Sequence, residues 1–448
     1  MRWYNALASW NVATASGRPL SKFVHAEQIT ADVPCPFCTC LCDDLELTIA
    51  GGRIIAAKNA CELARPQFLA VGNNNGAACL IAGRTATLEA GIGRAADILL
   101  SARYPLVWGL GRATCEAQAA AVEVAERLGG VVDASGGGDF GGGHLEALQT
   151  AGEVTCTLGE VRSRAGLVVV WNADPATAQP RFFERYAPPS LGKSGGCSLI
   201  VVDSRNTPSV SAASQHLKIL AGSEFDSATV LWALAKGLSL DPAQVAMQTG
   251  VPLADWRTLL ANMEQSRYGV LLCDNFAAEQ PFLSLLYGLI RTLNDRTRWV
   301  CLGLGGATNG VGAEQVLTWR TGYPRCVDFS QGFPRFNPSD FAAARLLERS
   351  EVDAAIVVCD DAETHFSKAA QARLQQIPTV SIDSKETSAW SRAAVAIRVA
   401  VPGVESGGTM FRLDGVPLAL RPTLTSNYPV DFEVLRMLTT AVRPKNAV

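Results

Sequence analysis

Five cysteines lie close together near the start of the chain: Cys35, Cys38, Cys40, Cys42 and Cys61. Four of them, Cys35, Cys38, Cys42 and Cys61, follow the spacing C-x2-C-x3-C-x18-C. Three thiolates on one tight loop can wrap one side of a cubane cluster. The fourth then has to return from elsewhere, as in sites that hold [4Fe–4S]. The same four donors can hold structural zinc, although paired C-x2-C knuckles are more usual there. They can also hold no metal. Cys40 is a fifth thiol, spare or alternate. The scattered cysteines from Cys79 to Cys359, several of them within apolar runs, read as core residues.

Cys115 stands apart. It opens a helix just after Gly109-Leu110-Gly111-Arg112, where the helix dipole favours a thiolate. A packed cysteine at a tight turn is the plainer reading. Gly109-x-Gly111 alone is a weak phosphate-loop signal. A third group is formed by aspartates that close apolar runs: Asp203, Asp274, Asp360 and Asp383, with Asp133 ending a shorter one. Carboxylates at strand C-termini sit where doubly wound folds bind ligands. Alternatively, each caps the helix that follows.

These residues need elements to place them. Leu45, Leu47 and Ile49 alternate along a strand, Gly51-Gly52 turn the chain, and Arg53 to Lys58 run back. That hairpin returns Cys61 to the neighbourhood of Cys42. Pro105 to Gly109 reads as a buried strand. Thr114 then caps a helix whose apolar positions Ala117, Ala121, Val124, Ala125 and Leu128 share one face. Gly129-Gly130 end it and Val131-Val132-Asp133 begins the next strand. The same grammar recurs at Leu167–Trp171, Leu199–Asp203, Val270–Asp274, Ala355–Asp360 and Thr379–Asp383. Apolar strands separated by helices imply parallel sheet covered on both faces, an α/β fold.

A chain of 448 residues with 48% hydrophobic and 18% charged residues excludes disorder and has room for two or three domains. A net charge of −3 argues against nucleic acid as the main partner. No uninterrupted apolar run is long enough to span a bilayer, so no membrane role is expected. Residues 1–28 read as an extension rather than an export signal, because Asn5, Ser9 and Asn11 interrupt any apolar stretch. The expected location is cytoplasmic, with reduced thiols.

The cysteine block with Asp43-Asp44 and Asn59-Ala60-Cys61 resembles the B subunit of formylmethanofuran dehydrogenase. So do Thr114 to Gln118, Thr321 to Pro324, Val327 to Phe329, Pro334 to Pro338, Glu405 to Thr409, Arg412 and Asp414-Gly415. The resemblance runs from about residue 33 to 422, within the wider molybdenum or tungsten bis-pterin oxidoreductases. It implies a small Cys-rich cluster domain followed by two doubly wound α/β domains, one inserted in the other. The expected boundaries are 1–75, then 76–150 with 300–430, and 151–299 for the inserted domain. It implies a [4Fe–4S] cluster on Cys35, Cys38, Cys42 and Cys61. It also implies an amidohydrolase-type partner and other subunits of one C1 complex, so a hetero-oligomer. Active members add a molybdenum or tungsten ion on two pterin dinucleotides.

Three positions depart from the family pattern. Active members carry a Cys-His-Gly-Pro-Ser motif whose Cys ligates the metal. By position, Asp139 replaces that Cys and Phe140 the His. A carboxylate can ligate molybdenum, but Phe cannot handle protons. His144 lies four residues beyond Phe140 and is a possible substitute; otherwise the segment is a loop without chemistry. A Lys expected two residues after the last cluster Cys is absent, because Glu62-Leu63-Ala64 follow Cys61. An Arg expected before Gly332 is Gln331, so no cation stands there to stabilise developing negative charge.

Together these losses read as a retired redox site. That pattern resembles the B subunit of the bacterial formyltransferase/hydrolase complex. The expectation is a scaffold or binding subunit with no catalytic residue of its own and no molybdenum or tungsten pterin. The alternatives are an active dehydrogenase with Asp139 as metal ligand, or a zinc-stabilised or metal-free interaction protein. A methanofuran-like carrier with a polyglutamate tail has candidate partners in Arg181, Arg185, Arg320, Arg325 and Arg335, although scattered Arg is more often a solvated surface.

Overall fold

The computed structural model describes residues 27–72, 76–135, 143–187, 197–275 and 280–442. It is an α/β protein with two doubly wound parallel sheets and a small cysteine-bearing sheet at its start. The small sheet has three antiparallel strands, Gln28–Val33, Leu45–Ala50 and Arg53–Lys58. Gly51 and Gly52 turn it with φ of 58° and 75°, which suits glycine.

A five-stranded sheet holds parallel strands from Leu167–Trp171 to Arg298–Gly303. A nine-stranded sheet draws on two stretches of sequence that flank those strands. Its parallel centre runs Val131–Ala134, Pro105–Gly109, Ala354–Val358, Thr379–Asp383 and Val395–Arg398. Antiparallel strands extend both edges. Every residue of Leu167–Trp171 and of Ala354–Val358 is buried, as strands covered on both faces must be.

The helix Cys115–Leu128 forms as its sequence dictates. The Thr114 hydroxyl accepts from the Ala117 N–H at 3.2 Å, and Gly129 closes the helix in the left-handed conformation at φ 60°. Its apolar face packs on Val107 and Val132 in the core of the nine-stranded sheet.

Asp203 and Asp383 do not cap the helices that follow them, whose N-caps are Thr207 and Thr387. Asp203 accepts from the Arg205 N–H and pairs with its guanidinium, and Asp383 accepts from Lys385 N–H. Asp133 accepts from the N–H groups of Cys326 and Ala343. These carboxylates tie loops together, because a turn that leaves a buried strand must satisfy its own N–H groups. Among the described residues, no helix is long and apolar enough to cross a membrane.

Candidate functional site

The cysteine loop closes on itself. Cys35 N–H donates to the Cys42 carbonyl at 2.7 Å, and Leu41 N–H to the Cys38 carbonyl at 3.1 Å. Leu41 sits at φ 38° and buries its side chain against Met410 and Leu420. Thr39 is held from two directions: its carbonyl accepts from Leu413 N–H, and its hydroxyl accepts from Gln179. The hairpin returns the chain so that Cys61 joins Cys35, Cys38, Cys40 and Cys42 around one pocket, with Leu45 and Ala64 in its wall.

Two arginines stand over this pocket. Arg181 forks onto both oxygens of Asp44 at 2.8 and 2.7 Å and onto the Asn59 carbonyl at 2.7 Å. Arg185 donates to Asp43 at 2.6 Å and lies beside the Cys42 sulfur. Burial pushes the Cys35 and Cys42 thiols up, and Arg185 opposes the rise at Cys42. A hydrogen bond from Cys40 lowers Cys38 to about 7, while the same contact raises Cys40.

An all-sulfur donor set fits an iron–sulfur cluster or zinc. Gln179 Oε1 is buried there without a hydrogen-bond partner, and Arg185 Nη1 faces Asp44 Oδ1 at 3.4 Å. An anionic cluster held by thiolates would satisfy the arginine. Among the described residues, no three His, Cys, Asp or Glu side chains converge closely enough for a single metal ion. A cubane takes its thiolates at four separate iron corners, which asks for a wider arrangement than one zinc ion does.

The loop also forms one wall of a cleft of about 740 Å³, lined there by Phe37, Cys38 and Thr39. Arg112, Asp360, His365 and Lys385 line the opposite wall. That wall is the switch point of the nine-stranded sheet, where the turns after Pro105–Gly109 and Ala354–Val358 part in opposite directions. Asp360 fills it. One carboxylate oxygen takes the Gly111 N–H at 3.3 Å and the Ser135 hydroxyl. The other takes the Asp361 N–H at 2.8 Å and lies 3.3 Å from His365 Nε2. Burial opposes ionisation, but His365, Arg112 and Ser135 outweigh it and hold the carboxyl below its usual range.

A Cβ on Gly111 would lie 2.3 Å from Ala307 Cβ and 2.6 Å from Asp360 Oδ2, so only glycine fits. Arg112 reaches across to Asp383 at 2.7 Å. The Gly109-x-Gly111 turn thus presents its N–H to an internal carboxylate. A dinucleotide phosphate at this turn would meet a buried anion, so the residues here do not fit one.

The other sequence candidates separate. Asp139 and Phe140 lie outside the described residues. His144 sits 3.0 Å from the Tyr287 hydroxyl and lines a different cavity. Glu62 and Gln331 are exposed. The five arginines do not form one basic surface. Arg181 and Arg185 serve the cysteine loop, Arg325 is buried against Asp133 and the Ala134 carbonyl, and Arg335 pairs with Asp328. Cys115 is buried, burial pushes it up to about 11, and Asn309 Nδ2 lies 3.7 Å from its sulfur. Its surroundings are those of a packed thiol.

Sequence reasoning missed Asp360 as the plug of the crevice and the two arginines as partners of the cysteine loop. The Asp43-Asp44 pair directly after Cys42 was the available signal for the arginines.

No family model matches the chain. It is 32% identical over 440 residues to the B subunit of tungsten-containing formylmethanofuran dehydrogenase 2 from Methanocaldococcus jannaschii. That alignment covers 93% of this chain and 99% of the relative. The chain belongs to the formylmethanofuran dehydrogenase B-subunit family. The corresponding family member from Methanococcus maripaludis is 31% identical over 92% of this chain and 98% of its own. The B subunit of the formyltransferase/hydrolase complex Fhc of Methylorubrum extorquens is 28% identical over 75% of this chain and 88% of its own. A crystal structure of the formyltransferase/hydrolase complex FhcABCD from Methylorubrum extorquens with methylofuran matches with a TM-score of 0.66 and 25% identity. The match covers 81% of this chain and 98% of that one. Acetylene hydratase from Pelobacter acetylenicus shares the family fold, with a TM-score of 0.65 at 12% identity over 92% of this chain and 69% of its own.

Proposed function

We propose that this chain is the B-type component of a one-carbon formyltransferase/hydrolase complex and acts there as a scaffold and binding subunit. Cys35, Cys38, Cys42 and Cys61 would hold a [4Fe–4S] cluster, with Cys40 spare. Bound there, such a cluster supplies one-electron transfer; without an electron exit it is a staple whose binding couples to folding. The chain's own part is structural. Arg181 and Arg185 clamp the loop, Leu41 anchors it, and Thr39 docks it against two other segments. The partners would be the amidohydrolase-type and other subunits of that complex, with no nucleic acid or membrane, in the cytoplasm. The three-part division at residues 75, 150 and 300 belongs to the same reading.

The observation that carries this reading is Asp360 in the switch-point crevice, where its carboxylate already takes the Gly111 N–H. The replacement of Cys-His by Asp139-Phe140 supports it from sequence. A second reading, an active tungsten or molybdenum dehydrogenase, is favoured by the two tungsten-containing relatives above 30% identity. Elemental analysis of the anaerobically purified native complex separates the two. About four Fe per chain without Mo or W is the expected result, on the assumption of one cubane. Stoichiometric W or Mo would overturn the scaffold reading.

A further inference from the structure

Arg181 and Arg185 reach the cysteine loop from one short helical turn, Phe182–Arg185. Phe182 and Phe183 sink into the core. Two arginines four residues apart on such a turn share one side of it.

The two are not equivalent. Arg181 is committed to oxygen: both carboxylate oxygens of Asp44, the Asn59 carbonyl and Glu184 take its N–H groups. Among the described residues, Arg185 has one oxygen partner in a hydrogen bond, Asp43 at 2.6 Å. Its Nη1 lies 3.4 Å from Asp44 Oδ1 without the alignment of a hydrogen bond. The guanidinium stacks over the Tyr186 ring, 5.2 Å from its centroid, and only 14% of the side chain is exposed.

What remains beside Arg185 is sulfur. Cys42 immediately precedes Asp43, and contact with the Arg185 guanidinium opposes the burial that raises the Cys42 thiol. A cysteine sulfur bound to iron still accepts N–H donors, and such bonds help to set a cluster's reduction potential. They favour the reduced state, because it carries one more negative charge. A guanidinium donor is strong here because its own charge is poorly screened when buried. The Asp43 bond and the Tyr186 ring already fix the plane of the fork, so little further ordering is needed to reach the sulfur.

We propose that Arg185 donates to the Cys42 sulfur of a [4Fe–4S] cluster held by Cys35, Cys38, Cys42 and Cys61, and thereby raises that cluster's reduction potential. This role rests on the cluster reading above. It holds whether or not the cluster passes electrons onward.

A dithionite titration of the anaerobically purified full chain, followed by electron paramagnetic resonance, reads the midpoint potential of the one-electron couple. Arg185→Gln should keep its iron and shift the reduction equilibrium about tenfold towards the oxidised cluster, about 59 mV downward. Arg185→Lys keeps the charge but not the fork, and its potential should fall between the two. A purely mechanical role for Arg185 has the opposite sign. A loosened loop admits water, which favours the more highly charged reduced cluster and raises the potential. Full iron with an unchanged or raised potential in Arg185→Gln would overturn the proposal. Where Arg185→Gln does not hold iron, Arg185→Lys decides alone: a lowered potential supports the donor, and an unchanged or raised one overturns it. A parent chain without iron would overturn the cluster reading itself, and the donor role with it.

Discussion

Two walls of one cleft treat their polar groups in opposite ways. On the cysteine side, thiols share a pocket, and the buried Gln179 Oε1 has no hydrogen-bond partner. On the sheet side, the crevice that would receive a phosphate is filled by the Asp360 carboxylate, which has collected a backbone N–H, a hydroxyl and an imidazole. Both walls sit where a ligand could enter. The difference is that the sheet side supplies its own carboxylate, which leaves Arg112 Nε as the unpartnered atom there, while the cysteine side gathers thiols and no counter-group of its own for Gln179 Oε1. A site built to hold something leaves unsatisfied groups when it is described alone; a site filled from within leaves few.

The sharpest way to break this contrast is to remove a thiol. Cys61→Ser should strip nearly all iron from the anaerobically purified chain, because a cubane that has lost one of its four cysteines is poorly held. The N-terminal sheet should then melt ahead of the rest, as expected where metal binding and folding are coupled. Iron content and a protease-protection profile read both effects. Full iron with Cys61 replaced would assign the ligand role to Cys40 instead.

The next effect comes from the filled wall. Asp360→Ala leaves the Arg112 and His365 side facing an empty place and should cost about 3–5 kcal/mol of stability, as breaking a buried charged network does. The pH dependence has a definite sign. The folded carboxyl lies below its usual value, so its contribution is present above the unfolded carboxylate pKa. It is lost as pH falls through the folded value. Asp360→Asn should therefore flatten the acid limb of a stability–pH curve measured by denaturant unfolding. An unchanged limb would mean that the carboxylate does not hold the turn.

The smallest effect is expected at Cys115. Cys115→Ala should leave iron content untouched and cost about 1 kcal/mol, as for an ordinary buried substitution. A large loss of activity in the assembled complex, without loss of stability, would reverse the reading of a packed thiol.

Much of the architecture is visible in local sequence. Thr114, the Ala117 to Leu128 periodicity and Gly129 define their helix without help from elsewhere, because capping and amphipathic spacing are local rules. The Leu45 to Lys58 hairpin and its glycine turn are equally self-declared, and they bring Cys61 back to the loop. Asp360 was visible as a strand-end carboxylate, but its partner was not. Gly111 lies 249 residues away, and nothing in either segment names the other. The cavity that Glu153, Asn275 and Glu314 help to line is harder still, because these residues have no spacing in common. The scattered arginines misled for the same reason, since their salt bridges reach across the fold.

The nine-stranded sheet has one more consequence, which concerns how the chain is made. Pro105–Gly109 finds one neighbour, Val131–Ala134, within a few dozen residues, but its other neighbour, Ala354–Val358, only after the whole five-stranded sheet has been synthesised. As the chain leaves the ribosome, the later-made five-stranded sheet can close first, while the earlier strands wait with an open edge. Such an edge is a template for wrong pairing. Truncation anywhere between the two halves would leave that edge permanently bare, so quality control should see shortened chains of this protein as aggregation-prone rather than merely inactive.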